Sequence, residues 1–209
     1  MTVKAKKTLK VKNYKGGSVV WKSLDPKIAK VNSNGVVTAK KLGNTIIYAT
    51  LDSGEQFGCA VCVVTPSMKK TVDYAKMVGS KWTYSQPYRM KDGYYDCSSL
   101  VWRAYKKSGK TFGASYYAPV ASDIAKWCVN NKKMLKKSVR KKIYKLSLRP
   151  GDITFRTGAN NGRYKGIYHV EMFVGYRCVG MNNGKYIVST MWAARNDDYP
   201  PDEKYIARP

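Results

Sequence analysis

The sequence predicts two domains of different class: an all-β sandwich over residues 1–66, then an α+β domain over residues 67–209 with helices packed on an antiparallel sheet. Three observations carry this. Up to Pro66, short segments alternate apolar and polar residues between turn signals, as short strands do. From Ser67 to Cys128, apolar residues recur at helical spacing. From Leu148 the alternation returns, and helices followed by strands make an α+β domain.

The first six segments are Leu9-Lys10-Val11-Lys12, Val19-Val20-Trp21, Ile28-Ala29-Lys30-Val31, Val36-Val37-Thr38-Ala39, Thr45 to Thr50, and Phe57 to Val64. Gly16-Gly17, Asp25-Pro26, Asn34-Gly35, Gly43-Asn44 and Ser53-Gly54 separate them as turns. Short strands at this spacing build a sandwich, and Trp21 is expected in its core rather than as a ligand platform. Cys59 and Cys62 form a C-x-x-C inside the apolar run to Val64. Residues three apart in a strand face opposite ways, so both are expected to pack as small buried hydrophobes rather than to hold zinc. The words Val20-Trp21-Lys22-Ser23, Asp25 to Val31, Asn34 to Ala39 and Gly43 to Ile47 resemble the bacterial immunoglobulin-like domain, group 2. That resemblance covers nearly all of residues 3–64 and implies a surface module for spacing or attachment.

Thr65-Pro66-Ser67 reads as a linker. Ser67 is a candidate N-cap for a helix with Met68, Val72, Ala75 and Val78 on its apolar side, ended by Gly79. Trp82-Thr83-Tyr84 is extended. A second helix starts at Cys97, carries Leu100, Val101, Ala104 and Tyr105, and stops by Gly109. A third starts near Pro119, with Val120, Ile124, Trp127 and Cys128 as its stripe. Arg149 to Asp152 is a turn, Ile153 to Phe155 a strand, and Gly158 to Gly166 a polar loop. Tyr168 to Val174 and Tyr186 to Trp192 are strands joined past an Asn-Gly hairpin turn at Asn183-Gly184.

Composition narrows the function. A chain that is 44% hydrophobic and 12% aromatic folds rather than staying disordered. Its net charge is +26, and both parts share it: 11 lysines against 3 acids up to Pro66, 28 bases against 10 acids beyond. Such a field draws the protein to polyanions. Residues 132–145 hold eight Lys and Arg between apolar residues, but no nucleic-acid recognition motif accompanies them. They are read as a basic face suited to an anionic wall polymer. Five cysteines (59, 62, 97, 128 and 178) give no disulfide framework. No apolar run approaches the ~20 residues of a membrane span, and the basic start lacks the apolar core of a signal peptide. Delivery to the cell wall is therefore expected as part of an exported protein, or by another route as for a phage lysin.

The stretch Tyr94-Tyr95-Asp96-Cys97-Ser98-Ser99-Leu100-Val101-Trp102 runs from an extended segment into a helix, with Cys97 at the junction. A cysteine there sits beside unpaired backbone N–H groups and the positive end of the helix dipole. That setting favours thiolate, the reactive form. If Cys97 is a nucleophile with an imidazole partner, the chain's one histidine, His169, supplies it. A helical cysteine followed about 70 residues later by a histidine on a strand is a papain-like arrangement.

Tyr84, then Tyr95 to Val101, then Pro150-Gly151-Asp152-Ile153, then His169 to Gly175 resemble, in this order, the NlpC-type cell-wall peptidases. The resemblance implies a papain-like fold with Cys97 as nucleophile and His169 as base. It implies that Tyr84 lines the cleft beside the thiolate, that Asp96 and Ser98 help receive the amino end of the substrate, and that backbone N–H groups near Cys97 form the oxyanion hole. Its third polar residue lands near Met181, so Asn182 is expected, with Asn183 as rival. Glu171 is set aside as too close to His169 along one strand. Ser99 stands where the family usually has Gly, and Ser85-Gln86 where Gly-Gly often follows the tyrosine. A monomeric peptidoglycan hydrolase is expected, without cofactor or metal, cutting the bond between D-glutamate and the diamino acid of the stem peptide. The alternatives are an amidase cutting before L-alanine and a non-catalytic wall-binding or adhesion protein.

Overall fold

Alternating strands of the first segment close on one another in a computed structural model that describes residues 1–135, 142–143, 145–193 and 205–209. The chain divides into two compact units, Met1–Pro66 with Gly175–Thr190, and Ser67–Val174 with Met191–Pro209. In the first unit, strands β1 (Lys6–Thr8), β2 (Val19–Ser23), β3 (Ala29–Val31), β4 (Val36–Ala39), β5 (Gly43–Leu51) and β6 (Gln56–Val63) form two three-stranded sheets, ordered β1-β4-β3 and β2-β5-β6. All their pairs are antiparallel. Ala29, Val37, Ala39, Ile47, Val61 and Val63 make the core between the sheets, and Trp21 packs half-buried against it. The first strand lies earlier than Leu9–Lys12: Leu9 donates its N–H to Gly35 O at 2.9 Å and turns into the core, so the ladder ends before it. Cys59 and Cys62 are half-buried rather than buried, because β6 is an edge strand.

The second unit begins with α1 (Pro66–Lys81), which starts on the proline itself rather than after Ser67 and runs through Gly79. A proline in a first turn loses no hydrogen bond. Two short strands, β7 (Thr83–Tyr84) and β8 (Tyr94–Tyr95), pair in parallel and lead into α2 (Cys97–Lys106); α3 (Ala121–Asn130) follows. Strands β9 (Ile153–Thr157), β10 (Ile167–Asn182), β11 (Lys185–Ala193) and β12 (Tyr205–Ala207) form a sheet ordered β11-β10-β9-β12. Val72, Val78, Leu100, Val101, Ile124 and Cys128 from the three helices share one core with Ile153, Phe155, Val170 and Met172 of the sheet. β10 extends eight residues past Val174, and the C-terminal strand β12, which has no sequence signal, pairs with β9. Half of the basic stretch expected at 132–145, namely 136–141 and 144, lies outside the described residues.

The tip of the β10–β11 hairpin belongs to the first unit. Gly184 donates its N–H to Gln56 Oε1 at 3.1 Å. Cys178 Sγ and Met181 fill the space beside Gly58, where a Cβ would come within 2.3 Å of the sulfur. Asn183 and Gly184 both take positive φ, as the expected Asn-Gly hairpin turn requires.

Candidate active site

Helix α2 is capped by its own first residues. Asp96 is the N-cap: its side chain accepts the Ser99 N–H at 2.7 Å, and Ser99 Oγ accepts the Asp96 N–H at 2.8 Å. This reciprocal pair satisfies two helix-end donors, and it explains a serine at position 99. Cys97 is thereby fixed in the first helical turn, 5% exposed.

Asp96 carries a second load. Arg89, itself only 8% exposed, brings Nε to 3.2 Å from Asp96 Oδ2 and donates from Nη2 to Ser98 Oγ at 3.1 Å. The same nitrogen reaches Ala118 O at 2.8 Å and Pro119 O at 3.2 Å, and Tyr117 covers the guanidinium at 5.5 Å. Asp96 and Ser98, expected to receive the substrate's amino end, are therefore buried and already engaged by a cation of the chain itself.

His169 sits on β10 just past an irregularity: the register with β9 shifts between Ile167 and His169, opposite Arg156. A bulge re-aims the residues beside it, here leaving Tyr168 exposed and His169 buried. His169 Nε2 lies 3.4 Å from Glu171 Oε1, and Arg156 Nη2 lies 2.9 Å from the same oxygen. Burial pulls the imidazole pKa down, but hydrogen bonding to Cys97 and Glu171, and the negative charge of both, raise it to about 9. Cys97 and His169 are thus in contact, from two different elements.

Tyr84, at the end of β7, stands beside Cys97. Burial raises its phenol pKa, the charges of Cys97 and Asp96 raise it further, and contact with the Cys97 backbone works against them. Its ring packs edge-on against Tyr95 at 5.5 Å, and the pairing Tyr84↔Tyr95 fixes both. Asn182, expected as the third polar residue, is exposed at the far end of β10 in the other unit, with Asn183 next to it in the turn. Glu171, set aside in the sequence, is the residue that meets the imidazole. Side chains two apart on a strand share a face, and a glutamate is long enough to reach back. Arg89 and Arg156 have no sequence signal either, each being one of 39 bases.

The Pro150-Gly151-Asp152 turn ties the helix to the sheet. Tyr105 of α2 donates its hydroxyl to Gly151 O, Gly151 N–H bonds Phe173 O at 2.8 Å, and Phe173 N–H bonds Asp152 O at 2.7 Å. Asp152 is held in turn by Arg208, at 2.6 and 2.7 Å. The strand bearing His169 is thus pinned to the helix bearing Cys97.

Among the described residues no group of three or more His, Cys, Asp or Glu is placed to hold a metal, and no helix is long and apolar enough to cross a membrane. Comparison with curated proteins and with solved structures gives no match. Residues 1–61 match the bacterial Ig-like domain, group 2, so the sandwich that opens this chain is an Ig-like module of that kind.

Proposed function

We propose that the protein is a cell-wall cysteine peptidase: a papain-like domain of NlpC type carried with an Ig-like module. The observation that carries this is the pairing of Cys97, in the first turn of α2, with the chain's only imidazole, whose pKa is raised to about 9. At neutral pH that imidazole holds its proton, and a thiolate is its natural partner. Glu171 takes Nε2, which leaves Nδ1 for the sulfur.

The thiolate attacks the amide carbonyl carbon, and the developing oxyanion is met by backbone N–H groups at the start of α2, beside Tyr84. The imidazolium then gives its proton to the leaving amine as the C–N bond breaks, and a thioester remains on Cys97. The neutral imidazole next takes a proton from water, hydroxide attacks the thioester, and the thiolate and imidazolium return. Glu171 orients the ring and stabilises its charged form, and Arg156 keeps Glu171 in place. Arg89 and Asp96 shape the floor beside the nucleophile.

The substrate is the peptidoglycan stem peptide, cut between D-glutamate and the diamino acid, in an extracellular or wall-bound setting. A net charge of +26 supports retention on anionic wall polymers. Cys97→Ala and His169→Ala are expected to lower wall digestion by about four orders of magnitude while leaving wall binding intact. Digestion at wild-type rates by either variant would sink the mechanism. Mass spectrometry of the fragments fixes the bond: glycan fragments that keep L-Ala-D-Glu, with peptides beginning at the diamino acid released, mark the endopeptidase, and intact stem peptides mark an amidase.

A further inference from the structure

The carboxylate nearest the nucleophile along the chain is not open to a ligand. Asp96 Oδ1 accepts the Ser99 N–H at 2.7 Å and the Ser98 hydroxyl at 3.2 Å, and Oδ2 faces Arg89 Nε at 3.2 Å. Arg89 is locked by Ser98 Oγ, by the carbonyls of Ala118 and Pro119, and by the ring of Tyr117. Opposite charges this close in a buried site hold each other far more tightly than they would in water. His169 interacts with Cys97 and Glu171, whereas Tyr84 interacts with Cys97 and Asp96. The imidazolium must protonate the leaving amine, so the carboxyl half of a substrate lies towards His169. The amino half is then left to the side of Asp96 and Arg89.

We propose that the Arg89–Asp96 pair makes this enzyme selective for peptides whose amino end is acylated, that is, stem peptides still joined to the glycan, over peptides ending in a free ammonium group. The proposal rests on the cysteine-peptidase function above. An ammonium group on that side meets a carboxylate whose charge is already matched and a guanidinium that repels it. It reaches Asp96 only by displacing Arg89 from five contacts. An acyl or lactyl end carries no charge to repel. Over Arg89, the ring of Tyr117 is 60% exposed, and a ring with one polar tip suits an acyl or sugar group. Arg89 is a specificity-determining residue in this scheme, not a catalytic one.

The test uses the full chain and the stem tetrapeptide L-Ala–D-Glu–L-Lys–D-Ala, with its amino end either free or acetylated. Wild type is expected to favour the acetylated form at least tenfold in kcat/KM. Arg89→Gln leaves Asp96 unpaired and is expected to erase or reverse that ratio, and Arg89→Lys to keep it. The inactive Cys97→Ala variant reads the same preference as affinity, without turnover. Equal or faster turnover of the free-amine peptide by wild type overturns the proposal, as does an unmoved ratio in Arg89→Gln with a normal melting curve. Should Arg89→Gln not fold, the wild-type ratio and the Cys97→Ala affinities decide. Hydrolysis of neither peptide, with tighter binding of the acetylated one, removes the peptidase function and keeps the selectivity. Hydrolysis of both without preference does the reverse.

Discussion

Cys97 and Glu171 together set how long His169 keeps its proton. The imidazole pKa is raised from 6.5 to about 9 against the pull of burial, and Glu171 supplies part of that rise by contact and by charge. The folded value lies above the free one, so the stability this pairing gives is complete below about pH 6.5 and is lost as pH rises through about 9. The proposed proton donor disappears over the same range, so kcat/KM is expected to fall on the alkaline side with a midpoint near 9. Glu171→Gln is expected to move both midpoints to lower pH. One histidine in the chain makes this directly readable, since a proton NMR titration shows a single imidazole. An unmoved titration in Glu171→Gln would mean that the carboxylate does not act on the ring. Ser99 gives a second residue-scale test. Its hydroxyl accepts a buried Asp96 N–H, so Ser99→Ala strands that donor and is expected to cost about 1–3 kcal/mol of stability in denaturant melts.

Strands β9 and β10 and helix α2 show why some of this was legible in the sequence and some was not. Alternation and helical spacing report burial, so β2 to β6, the three helices and the starts of β9 and β10 follow from the residues. The cysteine in a first turn and the lone histidine are also visible as residues. The bulge before His169 is not, because an extra residue in one strand leaves no trace in a single-strand pattern. The approach of Glu171 to His169 leaves no trace either, because spacing along a strand does not say which side chain bends back. Arg89 was invisible because pairing across a loop has no period. Gly151 joins these elements and makes a test at this scale. It adopts φ +100, and a Cβ there would come within 2.3 Å of Met68 Sδ. Gly151→Ala must strain the backbone and push Met68 away, while the Tyr105–Gly151–Phe173 link depends on that turn. A loss of about 1–3 kcal/mol in melting experiments is expected, with activity falling further than stability because Cys97 and His169 are held through it.

Across the whole molecule, one strand serves two units. β10 carries His169 in the second unit and ends in a hairpin that packs with the Ig-like module, through Gln56, Gly58 and the residues Cys178 to Gly184. Residues 175–190 therefore group with Met1–Pro66 in the first compact unit. Met181 and Cys178 lose their cover at Gly58 when the module is absent. A chain reduced to residues 67–209 is expected to exchange its amide hydrogens rapidly at 175–190, at least tenfold faster than the full chain, while α2 and β9 stay protected. Gly58→Leu probes the same joint without shortening the chain. Gly58 has ordinary backbone angles, so the effect of a side chain there is purely the clash with Cys178 Sγ and Met181. Faster exchange confined to 175–190 is expected again, with a loss of about 1–3 kcal/mol. Unchanged exchange in both variants would mean that the hairpin holds its shape unaided, and that the module is a spacer with no part in supporting the strand that bears the histidine.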